Sequence, residues 1–126
     1  MATRYIEVDS DKFETFLKSK GFVREHTEKG KEIVYARCNE FNSNIIVKIY
    51  TSITEGAEVA RSIGSDAIRV VCIFDNGKRS FGIAKLPRVY RTGSQEKVEA
   101  RTLERMREAY RVGNRWIREH KRKVKL

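Results

Sequence analysis

Hydrophobic and polar positions change period several times along the chain, and each change marks an element. Phe13, Phe16 and Leu17 fall at i, i+3 and i+4, the spacing of one face of a short helix. Asp9 or Ser10 can accept from the free N–H groups at its start. Gly21 ends it, because glycine enters the left-handed conformation without strain. Beyond it the period drops toward two. Residues 22–27 and 31–38 flank Glu28-Lys29-Gly30, which supplies the turn chemistry of a hairpin. After a polar loop at 39–43, residues 44–51 predict a strong strand rich in β-branched Ile45, Ile46, Val47 and Ile49. Residues 67–74 predict another. Between them 54–66 is ambiguous: 55–63 fits a short helix that Gly56 weakens. Asp75-Asn76-Gly77-Lys78 carries the strongest turn signal, since Asn-Gly readily adopts positive φ, and 79–84 is then the returning strand. Pro87, the only proline, breaks the pattern and places 88–91 on an edge or in a bend.

The last third reads as one helix over 94–120. Leu103, Met106, Tyr110, Gly113, Ile117, His120 and Val124 recur at alternating steps of three and four, a single narrow face. Thr92 and Ser94 can cap it, with Gln95 spaced for a box with Thr92. Neither a repeat nor a linker interrupts the chain. The expected fold is α+β: an antiparallel sheet of about five strands, with a short N-terminal helix and a long C-terminal helix packed on it. Residues 1–120 form a single domain, and 121–126 read as a basic, frayed tail.

Composition adds charge to this picture. Of 126 residues, 40% are apolar, enough for one real core, and 35% are charged, well above the roughly 25% of ordinary soluble domains. With 27 basic against 17 acidic side chains the net charge is +10. The pI near 9.9 is that of nucleic-acid-binding domains. Cys38 and Cys72 stand 34 positions apart with no CxxC or Cys/His cluster, which argues against a zinc site and for two reduced thiols. No signal core and no long apolar run is present, so the expectation is a soluble, cytoplasmic protein without a membrane partner.

The charge is unevenly placed. No acidic residue lies between Asp75 and Glu96, yet that stretch holds Lys78, Arg79, Lys85, Arg88 and Arg91, interleaved with Phe81 and Tyr90. Cations neutralise phosphates and rings stack bases, which makes this the first candidate surface. From Ser94 onward there are 11 basic and 5 acidic residues. Arg101, Arg105, Arg111, Arg115 and Arg118 could track phosphates, although Glu104, Glu108 and their neighbours also sit at ion-pair spacing. Strand alternation suggests a third surface. Tyr35 and Arg37, Lys48 and Tyr50, and Arg69 each fall opposite the apolar positions of their strands, so they are expected to converge on one sheet face.

The blocks Ser65-Asp66-Ala67-Ile68-Arg69-Val70 and Arg88-Val89-Tyr90-Arg91-Thr92 resemble segments of small bacterial and phage domains. Some of those resemble accessory parts of DNA-processing proteins and carry a zinc-ribbon finger of the topoisomerase kind. The likeness spans roughly residues 48–107, and this chain lacks the finger. The resemblance implies nucleic-acid work and a structural pairing of Asp66 with Arg69, and it assigns no catalytic residue.

Enzyme readings find little support. A metal-dependent nuclease would need converging carboxylates, for which Glu7, Asp9, Glu58, Asp66 and Asp75 are the candidates, but none forms a strand-borne Asp with Glu-x-Lys. Neither a phosphate loop nor a nucleophile elbow appears. The expected function is binding of nucleic acid, DNA or RNA, single-stranded or structure-dependent, without cofactor or metal. Lys78, Arg79, Lys85, Arg88 and Arg91 would meet phosphates. Tyr35, Tyr50 and Tyr90 would stack, supported by Arg37, Lys48 and Arg69. The alternatives are an assembly module, dimerising through the seam of the last helix, and a nuclease.

Overall fold

The computed structural model describes residues 10–55, 67–90 and 94–124, with the backbone alone at 10, 11 and 121–124. The first helix, α1 (Ser10–Ser19), forms where the i, i+3, i+4 pattern lies. It buries Phe13 and Leu17 and leans Phe16 on the same core. Gly21 stops it at φ 86°, and the Phe22 N–H returns to the Leu17 carbonyl at 3.0 Å. Six strands follow: β1 (Val23–Arg24), β2 (Glu32–Cys38), β3 (Ile45–Thr54), β4 (Ala67–Asp75), β5 (Ser80–Lys85) and β6 (Val89–Tyr90). The long helix α2 (Gln95–Val124) closes the chain. This is the expected α+β architecture. The ambiguous segment at 54–66 lies outside the described residues from 56 onward.

All strand pairs are antiparallel, in the order β1-β2-β3-β4-β5. The sixth strand extends the β5 edge. Beyond β5 the Leu86 N–H still reaches the Val70 carbonyl at 2.9 Å. Pro87 has no N–H to give, and pairing resumes as Ile68↔Val89 and Ala67↔Tyr90. Residues 80–90 therefore form one sheet edge interrupted at the proline. The first hairpin arm is shorter than its sequence suggests, because Phe22 turns into the core and only Val23 and Arg24 pair with β2.

One face of the sheet is the core. Ile45, Val47 and Ile49 of β3 and Val70, Cys72 and Phe74 of β4 are all sealed from solvent. Each fully buried aliphatic side chain contributes on the order of 1.5–3 kcal/mol. Helix α2 lies across this face with Val98, Thr102, Met106, Ala109 and Gly113 inward. Its start is capped by Ser94, whose Oγ accepts from the Lys97 N–H at 3.2 Å, while Thr92 lies outside the described residues. Of the expected seam, Met106 and Gly113 thus face the domain's own sheet, and Leu103, Tyr110 and Ile117 pack partly buried against its core. Gly113 is there because nothing larger fits: a Cβ would stand 2.8 Å from Ile45 Cγ2 and 3.0 Å from Cys72 Sγ. Trp116 packs on Phe74, with ring centroids 5.2 Å apart. The helical backbone continues four residues past His120. Lysine and arginine are good helix formers and complement the C-terminal end of the helix dipole.

The register corrects one sequence expectation. Tyr35 pairs with Ile49, which pairs with Val70, and Arg37 pairs with Val47, which pairs with Cys72. Paired residues share a face, so Tyr35 and Arg37 belong to the helix-covered side, not with Lys48, Tyr50 and Arg69. Tyr35 is buried there. The Arg37 guanidinium lies over the Tyr110 ring and pairs with Glu40 at the surface. The smaller Val34, Ala36 and Cys38 are what β2 presents to the other side.

Candidate nucleic-acid interface

Both helices pack on the same side of the sheet, and no described helix covers the other. That open face is built in rows. Val34, Tyr50 and Arg69 form one, Ala36, Lys48, Val71 and Lys85 the next, and Cys38, Ile46, Ile73 and Gly82 a third. All are partly or fully exposed. Opposite the single step from Cys72 to Ile73, β5 spends two residues, from Ala84 to Gly82, so Ile83 is an inserted bulge residue. Bulges increase twist and re-aim neighbouring side chains, and they recur beside functional sites. Here the bulge sets Gly82, which has no side chain, opposite Ile73.

The consequence is a groove of about 630 Å³ along the β4–β5 side of the open face. Val71, Ile73 and Gly82 form its apolar floor, and Tyr50, Arg69, Lys85 and Arg88 stand around it. The Arg69 guanidinium lies 4.9 Å from the Tyr50 ring centre and is held by Glu32 at 2.5 Å. Glu32 uses its second oxygen to accept from the Ser52 N–H at 2.7 Å. Lys48 is paired with Glu25 at 2.8 Å, and this hydrogen bond raises its pKa against the opposing effect of burial. Glu25 and Glu32 lie toward β1 and β2, and Asp75 stands at the turn end of β4. On the β5–β6 side, Lys85 and Arg88 are exposed and form no ion pair with another described residue. Among the described residues, the positive charge without an ion-pair partner in this groove lies along its outer edge.

The structure gathers four of the expected site residues in this groove: Tyr50, Arg69, Lys85 and Arg88. Lys48 stands in the adjoining row. Tyr90 is half exposed, opposite Ala67 at the end of the same edge. Lys78 and Arg79 are exposed on the β4–β5 turn, beyond Ser80, which is itself about 14 Å along the strand from Lys85 at roughly 3.4 Å per residue. Tyr35 and Arg37 are on the opposite face, as described. Arg91 lies outside the described residues. The implied partner of Arg69, Asp66, also lies outside them, and the described partner is Glu32. Among the nuclease carboxylates only Asp75 is described. Its Oδ1 accepts from the Gly77 N–H at 2.8 Å, a turn role, and no group of three metal-binding side chains occurs among the described residues. Nor is any described helix long and apolar enough to cross a membrane.

The chain matches no family model, no curated protein and no solved structure. Its functional reading therefore rests on geometry and charge. Two residues that sequence reasoning passed over stand out. Phe41 is 89% exposed, and its signal was an aromatic ring inside an otherwise polar loop. Trp116 links Phe74 and Phe81 to His120, whose ring stacks on the indole at 4.4 Å. Its position between Gly113, Ile117 and His120 on α2 was the available clue.

Proposed function

We propose that the protein binds single-stranded nucleic acid in the groove of its open sheet face. One observation carries this reading: the bulged β4–β5 pair brings a tyrosine ring, an apolar floor and the cations Arg69, Lys85 and Arg88 into one trough. Bases need flat apolar surface and phosphates need cations at its rim, and an open sheet supplies both together. Lys85 and Arg88, which have no ion-pair partner among the described residues, take the backbone. Tyr50, backed by Arg69, takes a base. A net charge of +10 adds long-range attraction. Duplex reading is the weaker fit, because α2, the one long helix described, turns its apolar face onto the sheet instead of standing free for a major groove. The assembly alternative also loses ground, since Met106, Tyr110, Gly113 and Ile117 are engaged with the domain's own core.

Fluorescence anisotropy with labelled single-stranded DNA, RNA and duplex DNA over a salt series tests this. Lys85→Ala with Arg88→Ala should weaken single-strand binding and reduce the log–log salt slope by about 1.4, at roughly 0.7 per phosphate contact. Gly82→Leu provides a test by shape. Nothing lies within 4 Å of a Cβ at Gly82, so the variant should fold and its side chain should obstruct the trough. Binding that ignores both changes, or that heparin matches at every salt concentration, would reject the groove as the site.

A further inference from the structure

The β2–β3 loop holds an exposed ring on a rigid mount, and folding does not account for it. Asn39 is buried, and its Oδ1 accepts from the N–H groups of Phe41 at 2.7 Å and Asn42 at 3.3 Å. Asn42 Oδ1 accepts from the Asn44 N–H at 2.9 Å, and the Asn39 N–H reaches the Ile45 carbonyl at 2.8 Å. The loop backbone is thus set before anything binds, which lowers the entropy cost of using it. Yet Phe41 itself is the most exposed large apolar side chain among those described. It stands at a recess of about 210 Å³ shared with Arg37, Asn39, Glu40, Tyr110 and Asn114. That is smaller than the roughly 300–1,000 Å³ of small-molecule sites, and suits one planar ring system.

The lining is short of partners in a way a nucleobase would supply. Asn39 Nδ2 donates to Asn114 Oδ1 at 2.8 Å, which leaves a second amide hydrogen on Asn39 and the whole amide nitrogen of Asn114. The Tyr110 hydroxyl is buried and makes no hydrogen bond of good geometry with a described residue, with the Arg37 guanidinium lying over its ring. Side-chain amides and hydroxyls are the groups that read base edges, and an aromatic ring is the platform on which an unpaired base stacks. The loop is also beside the basic hairpin turn: the Asp75 N–H bonds the Asn44 carbonyl at 2.8 Å, so Lys78 and Arg79 lie at the same end of the sheet.

We infer that this recess receives one unpaired base of a bound single strand, stacked on Phe41 with its polar edge toward the amide of Asn114. This rests on the groove reading for the rest of the strand and adds a second contact at the loop end. A protein partner gripping Phe41 is the competing occupant, and it would show no dependence on nucleic acid.

The test uses the full chain with single-stranded oligonucleotides and a matched duplex in anisotropy. Phe41→Ala removes a solvent-exposed ring, so the domain should stay folded. Single-strand affinity should fall roughly tenfold, the scale of one lost base stack. The salt slope should not change, because no charge is lost. Phe41→Trp should keep the affinity, and its added fluorescence should be quenched on binding. Asn114→Ala should alter the ranking of homopolymeric strands. If Phe41→Ala binds single strands as tightly as the parent, while Lys85→Ala with Arg88→Ala is weakened, the recess assignment is wrong and the groove reading stands. If the parent shows no single-strand binding above the heparin control, the groove reading itself fails and this inference with it.

Discussion

Gly113→Ala sets two well-known effects against each other. Alanine in a helix interior is favoured over glycine by about 1 kcal/mol, so on helix propensity alone the change stabilises. The structure opposes that. The new methyl carbon would stand 2.8 Å from Ile45 Cγ2 and 3.0 Å from Cys72 Sγ, closer than carbon packs against carbon or sulfur. Ile45 is β-branched and sealed in β3, and Cys72 is sealed in β4, so neither can swing away. Overpacking of this kind costs about 1–3 kcal/mol. The net expectation is a loss of about 1 kcal/mol, near 4 °C in Tm for a chain of this size. Thermal melts by circular dichroism measure it, with Gly82→Ala as the control, since a Cβ there meets nothing within 4 Å. That control should be neutral or slightly stabilising. A rise of about 4 °C for Gly113→Ala would mean that α2 does not lie on β3 and β4 at this point. The helix seam would then be free for a partner after all.

Two further outcomes follow from named groups. Burial pushes the Cys72 thiol up to about 11 from an ordinary 9.0, and the Tyr110 hydroxyl up to about 12 from 10.0, with Arg37 partly opposing the latter. The folded state thus holds both protons longer than the unfolded chain. Their contribution to stability is complete below pH 9 and is lost as pH rises through 9–12. Denaturant midpoints should fall across that window, and Cys72→Ala should flatten the decline between pH 9 and 11; an unchanged slope would contradict the burial. Glu32→Ala should cost about 1–3 kcal/mol, because it strips a partner from the buried Ser52 N–H as well as from Arg69. Glu25→Ala loses only the partly exposed pair with Lys48 and should cost about 1 kcal/mol or less. Urea melts giving the two equal losses would count against the role assigned to Glu32.

Elements announced by local chemistry were legible from the chain. The Phe13, Phe16, Leu17 stripe closed by Gly21 became α1, Asp75-Asn76-Gly77 became the turn, and Pro87 interrupts the edge where its missing N–H requires. The grouping of side chains across strands was less legible, because it depends on register. Alternation separated Tyr35 and Arg37 from Val34, Ala36 and Cys38 correctly, but polarity pointed to the wrong face for each set. A tyrosine ring filled the core opposite Ile49, and small side chains proved sufficient for the open side. The groove depends on the bulge at Ile83, an insertion that only pairing with β4 reveals. That Lys48 and Arg69 are paired, while Lys85 and Arg88 have no ion-pair partner among the described residues, is likewise a matter of where Glu25 and Glu32 land.

The most direct test of the central claim is an amide NMR titration of the labelled protein with a short single-stranded oligonucleotide. The account predicts that shifts concentrate on the open face, at Tyr50, Arg69, Val71, Ile73, Gly82, Lys85 and Arg88. The outward side of α2 should stay still. Shifts confined to Arg107, Arg111, Arg115 and Arg118, with the sheet unmoved, would contradict it and make the helix the nucleic-acid surface.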